Sequence, residues 1–131
     1  MGSFSDALAK FNKLTDDKVD AAMRKIGLSV FRRIIVRTPV DTGRARGNWQ
    51  ASFGQPRGDT IDRNDKSGTL AVSAAIASAA SWKPATDGSF FITNNLPYIG
   101  RLENGYSRQA PAGMVAITVT EFAGLVQDAS R

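Results

Sequence analysis

The side chains available for chemistry in this chain are carboxylates, lysines, arginines and hydroxyls, because its 131 residues include no histidine and no cysteine. That excludes the Ser-His-Asp and Cys-His nucleophilic arrangements, imidazole and thiolate metal sites, disulfide staples, and the usual general base near neutral pH. The candidate acid–base groups are Asp59, Asp62, Asp65, Asp87 and Glu103. Three of them fall in one glycine-rich segment expected to move, where a pair is not held at a productive distance. Asp62-Arg63-Asn64-Asp65 suggests calcium, but the twelve-residue ligand spacing, with its glycine at the sixth position and its closing glutamate, is missing. Arg57-Gly58-Asp59 spells an integrin-recognition tripeptide, read as coincidence in a cysteine-free chain whose start, MGSFSDALAK, has no export signal. The expectation is a protein with no catalytic residue, no metal, no cofactor and no small-molecule substrate.

Charge points to partners. Lys and Arg number 17 against 12 Asp and Glu, a formal net charge of +5, which fits nucleic acid, an acidic protein or simply a soluble surface. Arg24, Lys25, Arg32, Arg33 and Arg37 lie on one helical segment that either follows a phosphate backbone or is a solvated face. No helix-turn-helix, zinc finger or RNA-binding aromatic motif accompanies them. A small basic DNA-binding protein is therefore the alternative reading. No apolar run approaches a membrane span of about 20 residues, so the chain is expected to be made in the cytoplasm without a membrane partner.

The elements that must position these groups begin with a long amphipathic helix. Val19, Met23, Ile26, Val30 and Ile34 recur at steps of four, three, four and four, widened by Ala22, Phe31 and Ile35. An earlier stripe of Phe4, Leu8 and Phe11 and an N-cap signal at Thr15-Asp16-Asp17 leave two readings open, one bent helix or two helices. The helix should end at Thr38 because Pro39 disfavours helical backbone before it. Val40-Asp41-Thr42-Gly43 is a turn, and a strand is expected from Asn48 to Phe53. Residues 54–68 read as a mobile loop, with Ile61 the one large apolar side chain and nothing to repay the entropy of ordering.

Ser67 or Thr69 is placed to cap a helix of small residues, 70–82. Lys83 to Ser89 is a turn, Phe90-Phe91-Ile92-Thr93 a strand, and Asn94-Asn95 the cap of a short helix that includes Pro97 and runs to Gly105. The last helix carries Val115, Val119, Phe122 and Val126 on one stripe, with Met114, Ile117 and Leu125 off it, so two packing partners are needed. The expectation is a single α+β domain over residues 1–131: a long N-terminal amphipathic helix, a small antiparallel sheet packed by helices, and a C-terminal helix.

Two stretches, Thr38 to Trp49 (TPVDTGRARGNW) after the basic helix and Ile92 to Val115 (ITNNLPYIGRLENGYSRQAPAGMV), resemble the tail-completion or neck protein family of long-tailed bacteriophages, in this order and separated by a variable loop. The second stretch is the more specific. The resemblance implies a structural virion protein without catalytic activity or cofactor. It further implies a homo-oligomeric ring, a hexamer by analogy, around the DNA channel, between the head-closure protein and the tail terminator or tail-tube protein. DNA would meet it only in passing through the channel.

The candidate contact residues are Arg44, Arg46, Trp49, Tyr98, Arg101, Glu103, Tyr106, Arg108 and Met114. Arg44 and Arg46 follow the first turn, where planar guanidinium forks either pair with carboxylates of an adjacent subunit or stay solvated. Tyr98, Arg101, Glu103 and Tyr106 surround a second corner, and aromatic–arginine clusters are enriched at interfaces. Trp49 is a core or interface anchor.

Overall fold

The computed structural model describes residues 3–129. The N-terminal sequence is split into two helices at the Thr15 signal. Helix α1 spans Ser3–Phe11 and α2 spans Asp16–Arg37. Thr15 takes the extended N-cap conformation, and Asp16 and Asp17 place negative charge at the positive end of α2. The side chain of Phe11 lies outside the described residues. Helix α2 stops where Pro39 requires it, with Thr38 extended at the C-cap (φ −74°, ψ 127°) and its hydroxyl donating back to the Ile34 carbonyl at 2.7 Å.

The turn at 40–43 leads first into a short helix, α3 (Arg44–Gly47), and then into strand β1 (Gln50–Phe53), two residues later than the sequence predicts. Gly43 enters α3 at φ 88°, and its carbonyl accepts from both Gly47 N at 2.8 Å and Asp65 N at 2.9 Å. A side chain at Gly43 would be strained and would strike the Asp65–Lys66 backbone. Helix α4 (Thr69–Ser81) and the short α5 (Pro84–Asp87) precede β2 (Phe90–Thr93). Strands β1 and β2 form a two-stranded antiparallel sheet, with Gln50 opposite Thr93 and Phe53 opposite Phe90. The chain ends in α6 (Ile99–Glu103), α7 (Val115–Val119) and α8 (Phe122–Ala129). The architecture is thus α+β, helices around a small antiparallel sheet.

The core gathers Phe31, Ile34 and Ile35 of α2, Trp49, Ala71 and Ala75 of α4, Ala110 and Met114. Alanines let α4 lie against both α2 and β1. The buried residues of α2, Ala22, Phe31, Ile34 and Ile35, all belong to the expected apolar face, with the deepest burial toward its C-terminal end. Phe31 and Ile35 are fully buried, whereas Met23 is exposed and Ile26 and Val30 are half-buried. Those three, with Phe4, Leu8, Trp82, Phe90, Phe122 and Val126, line an open apolar groove of about 640 Å³.

Three local expectations are corrected. The helix expected through Val115 to Val126 breaks at Thr120–Glu121, and three of the four residues of its predicted stripe face outward. Val115, Val119 and Phe122 are exposed, while Met114, Leu125 and Val126 are buried. The break turns α8 by enough to pack on α1 and α2. Neither Ser67 nor Thr69 is the N-cap residue of α4, although Ser67 Oγ accepts from Thr69 N at 3.3 Å. Gly68 is the N-cap, and the buried Asp65 carboxylate accepts from Ala71 N at 2.9 Å, reaching the helix start from outside it. Asn94 and Asn95 do not cap α6, which begins after Tyr98; both side chains tie other segments instead.

Candidate interaction site

The two stretches that carry the family resemblance form one body. Gln109 bonds Val40 on both sides of its peptide group, its Oε1 accepting from Val40 N at 2.8 Å and its Nε2 donating to Val40 O at 3.1 Å. Asn94 Nδ2 donates to the Ala45 carbonyl at 2.9 Å. The pairing of β1 with β2 continues the junction. At its surface is a cleft of about 280 Å³ lined by Val40, Asp41, Arg44, Tyr98, Leu102 and Gln109, among others.

The candidate contact residues divide between inside and outside. Arg46 is turned inward, where its guanidinium donates to the carbonyls of Thr38 (2.9 Å), Lys66 (2.8 Å) and Val36 (3.0 Å) and thereby joins the end of α2 to the following loop. Trp49 is 4% exposed and donates Nε1–H to Thr38 Oγ1 at 2.8 Å. Met114 is wholly buried. Glu103 accepts at its two carboxylate oxygens from Met114 N (3.0 Å), Val115 N (2.8 Å) and Ala116 N (2.9 Å), satisfying the first amides of α7 from another element. Burial works to raise its pKa, but these backbone donors together outweigh it and hold the carboxyl below the usual range. Outside lie Arg44, Tyr98, Arg101, Tyr106 and Arg108; Tyr98 is 40% and Tyr106 78% exposed.

The segment 54–68, read from sequence as a mobile loop with nothing to hold it, has no helix or strand, yet polar side chains from the rest of the chain bind its backbone. Asn48 clamps Ile61, accepting from its N–H at 2.7 Å and donating to its carbonyl at 3.0 Å. Gln50 and Asn95 both donate to the Asp59 carbonyl. Arg63 reaches back to the carbonyls of Gly47 and Trp49. These polar groups do what apolar burial does elsewhere, and no periodicity marks them.

Four of the five candidate acid–base carboxylates serve local structure, and Asp62 is exposed in the 54–68 segment. Asp59 pairs with Arg57, which draws its pKa down; Asp65 serves α4; Asp87 accepts from Lys83 N; Glu103 serves α7. Among the described residues no group of three or more His, Cys, Asp or Glu is placed to hold a metal ion. The basic face of α2 is likewise partly used. Arg24 donates to the Trp82 carbonyl, and Arg33 and Arg37 converge on Glu121, leaving Lys25 and Arg32 outward. Among the described residues no helix is long and apolar enough to cross a membrane.

Compared with known proteins, the chain significantly matches no family model, no curated protein and no solved structure.

Proposed function

We propose that this chain is a structural component of a phage neck, a tail-completion or head–tail joining protein that closes into a homo-oligomeric ring between the head-closure protein and the tail terminator or tail tube. The reading starts from the two resembling stretches. The observation that carries it furthest is that these stretches, more than forty residues apart in the chain, pack into one body through the Val40–Gln109 and Ala45–Asn94 bonds. A shared motif pair belonging to one assembly surface is expected to meet in space in this way.

Two further features favour an assembling protein. Val36, Val119, Leu70 and Phe122 are exposed, and the groove between α1, α2 and β2 is open, leaving apolar surface for partners. Asp59, Asp65, Asp87 and Glu103, four of the five candidate acid–base groups, are engaged in caps and pairs, which favours a role through contacts. The commitment of Arg24, Arg33 and Arg37 within the chain weakens the alternative of a phosphate-tracking helix.

Mass photometry across a concentration series, followed by negative-stain electron microscopy, tests the reading. Closed rings and recovery of the protein in purified particles are expected. A single copy at every concentration, absent from particles, overturns it.

A further inference from the structure

We propose that the corner formed by Arg44, Tyr98, Arg101, Tyr106 and Arg108 is a docking surface for an acidic segment of a different protein, not a contact between copies of this chain. The assignment of that partner to a neighbouring ring rests on the neck reading; the charge argument does not.

The three guanidinium groups at this corner are exposed, and none has a hydrogen-bond or ion-pair partner among the described residues. Most of the other described arginines are used internally, Arg24, Arg46 and Arg63 on carbonyls, Arg33 and Arg37 on Glu121, Arg57 on Asp59, while Arg32 on α2 also points outward. Arg44 and Tyr98 line the same cleft, Arg101 precedes the cleft residue Leu102, and Tyr106 and Arg108 flank the cleft residue Ser107. The Tyr106 amide donates to the Arg101 carbonyl at 3.2 Å, which ties the backbone of the second tyrosine to that of the second arginine. The carboxylate nearest in sequence to Arg101, Glu103, takes its hydrogen bonds from the Met114, Val115 and Ala116 amides and forms no ion pair with these arginines; Asp41 is the acidic residue of the cleft.

The sign of the occupant follows from the charges. A second copy brings the same net +5 to the contact, whereas an acidic partner is attracted to it on net charge as well as locally. Its class follows from shape and residue type. The cleft is concave, with Val40, Leu102, Tyr98 and Arg44 in its lining, and the exposed Arg101, Tyr106 and Arg108 are chain neighbours of its residues Leu102 and Ser107. Tyrosine and arginine anchoring a pocket is the composition of protein–protein hot spots, and the fork matches a carboxylate with two parallel bonds. Duplex DNA needs a track of cations spaced along a convex backbone, which three arginines around a cleft do not supply.

Fluorescence anisotropy of a dye-labelled poly-glutamate peptide, and separately of a labelled DNA duplex, tests this with the full chain. The expected result is saturable poly-glutamate binding that weakens as salt rises and is lost in R44E/R101E/R108E. It is retained in K10E/K13E/K25E, which makes the same change in net charge at exposed lysines elsewhere. Equal loss in both variants, loss in neither, or tighter binding of the duplex at this corner overturns the inference. Mass photometry on the same samples separates the two readings. R44E/R101E/R108E is expected to assemble as the parent does, and its failure to assemble would make the corner a contact between copies and overturn the inference. If the parent never assembles, the ring reading fails while the anisotropy result still decides this one.

Discussion

The amide of Asn48 holds Ile61 as a strand partner would, with Oδ1 accepting from Ile61 N at 2.7 Å and Nδ2 donating to Ile61 O at 3.0 Å. The same Nδ2 also donates to the Arg44 carbonyl at 2.8 Å, and the residue is fully buried. One side chain thereby joins α3 to the long loop that no hydrophobic residue besides Ile61 anchors.

Replacing Asn48 by Ala leaves two carbonyls and one amide without these partners. Each buried group so orphaned costs about 1–3 kcal/mol. Asn48→Ala is expected to lower stability in denaturant titration by a few kcal/mol. Hydrogen exchange across 57–63 is expected to speed up more than exchange in α2. Uniform loss of protection in both would show that Asn48 acts on the fold at large and not on the loop.

Thr38 stands between two partners, its hydroxyl donating to Ile34 O and accepting from Trp49 Nε1. Thr38→Val keeps the shape and removes the acceptor, leaving the indole N–H buried and unpaired at a cost of about 1–3 kcal/mol. A lower midpoint with an unchanged denaturant slope, read by tryptophan fluorescence, is the expected outcome.

Glu103 links stability to pH. Its carboxyl is held below the ordinary glutamate value of 4.5 in the folded chain, because the three α7 amides favour the charged form more than burial disfavours it. Its contribution is therefore complete above the unfolded value and disappears as pH falls through the folded one. Glu103→Gln should lower stability at pH 7 by about 1–3 kcal/mol and flatten the acid limb of a stability-versus-pH curve. An acid limb identical to that of the parent would remove Glu103 from this role.

Gly47 and Gly58 should respond differently to the same change. A β-carbon at Gly47 would run into the Arg63 carbonyl, whereas the space around Gly58 is open. Gly47→Ala is expected to cost about 1–3 kcal/mol or more through backbone displacement, and Gly58→Ala to stay within about 0.5 kcal/mol. Thermal melts of the two variants side by side check this.

Much of the secondary structure was legible along the chain. Pro39 ended α2 after Arg37, the run Phe90 to Thr93 was a strand at those residues, and α4 began one residue before its expected start. The candidate site was legible in part. Tyr98, Arg101, Tyr106 and Arg108 are at the surface, as contact residues must be, whereas Arg46, Trp49, Glu103 and Met114 are spent on the fold. The outward turn of Val115 and Val119 was not legible, because the stripe of a helix says that one side is apolar without saying where the chain folds back to cover it.

By itself the sequence determined the end of α2, the start of α4 to within a residue and the strand at 90–93, since proline sterics and apolar periodicity act within a turn or two of backbone. It also determined, through the absence of histidine and cysteine, which chemistry is open to the chain. The tertiary structure alone decided which polar residues face inward. Gln109 meets Val40 across 69 positions and Arg46 meets Lys66 across 20, and whether an arginine stays free for a partner depends on carbonyls delivered from such distances.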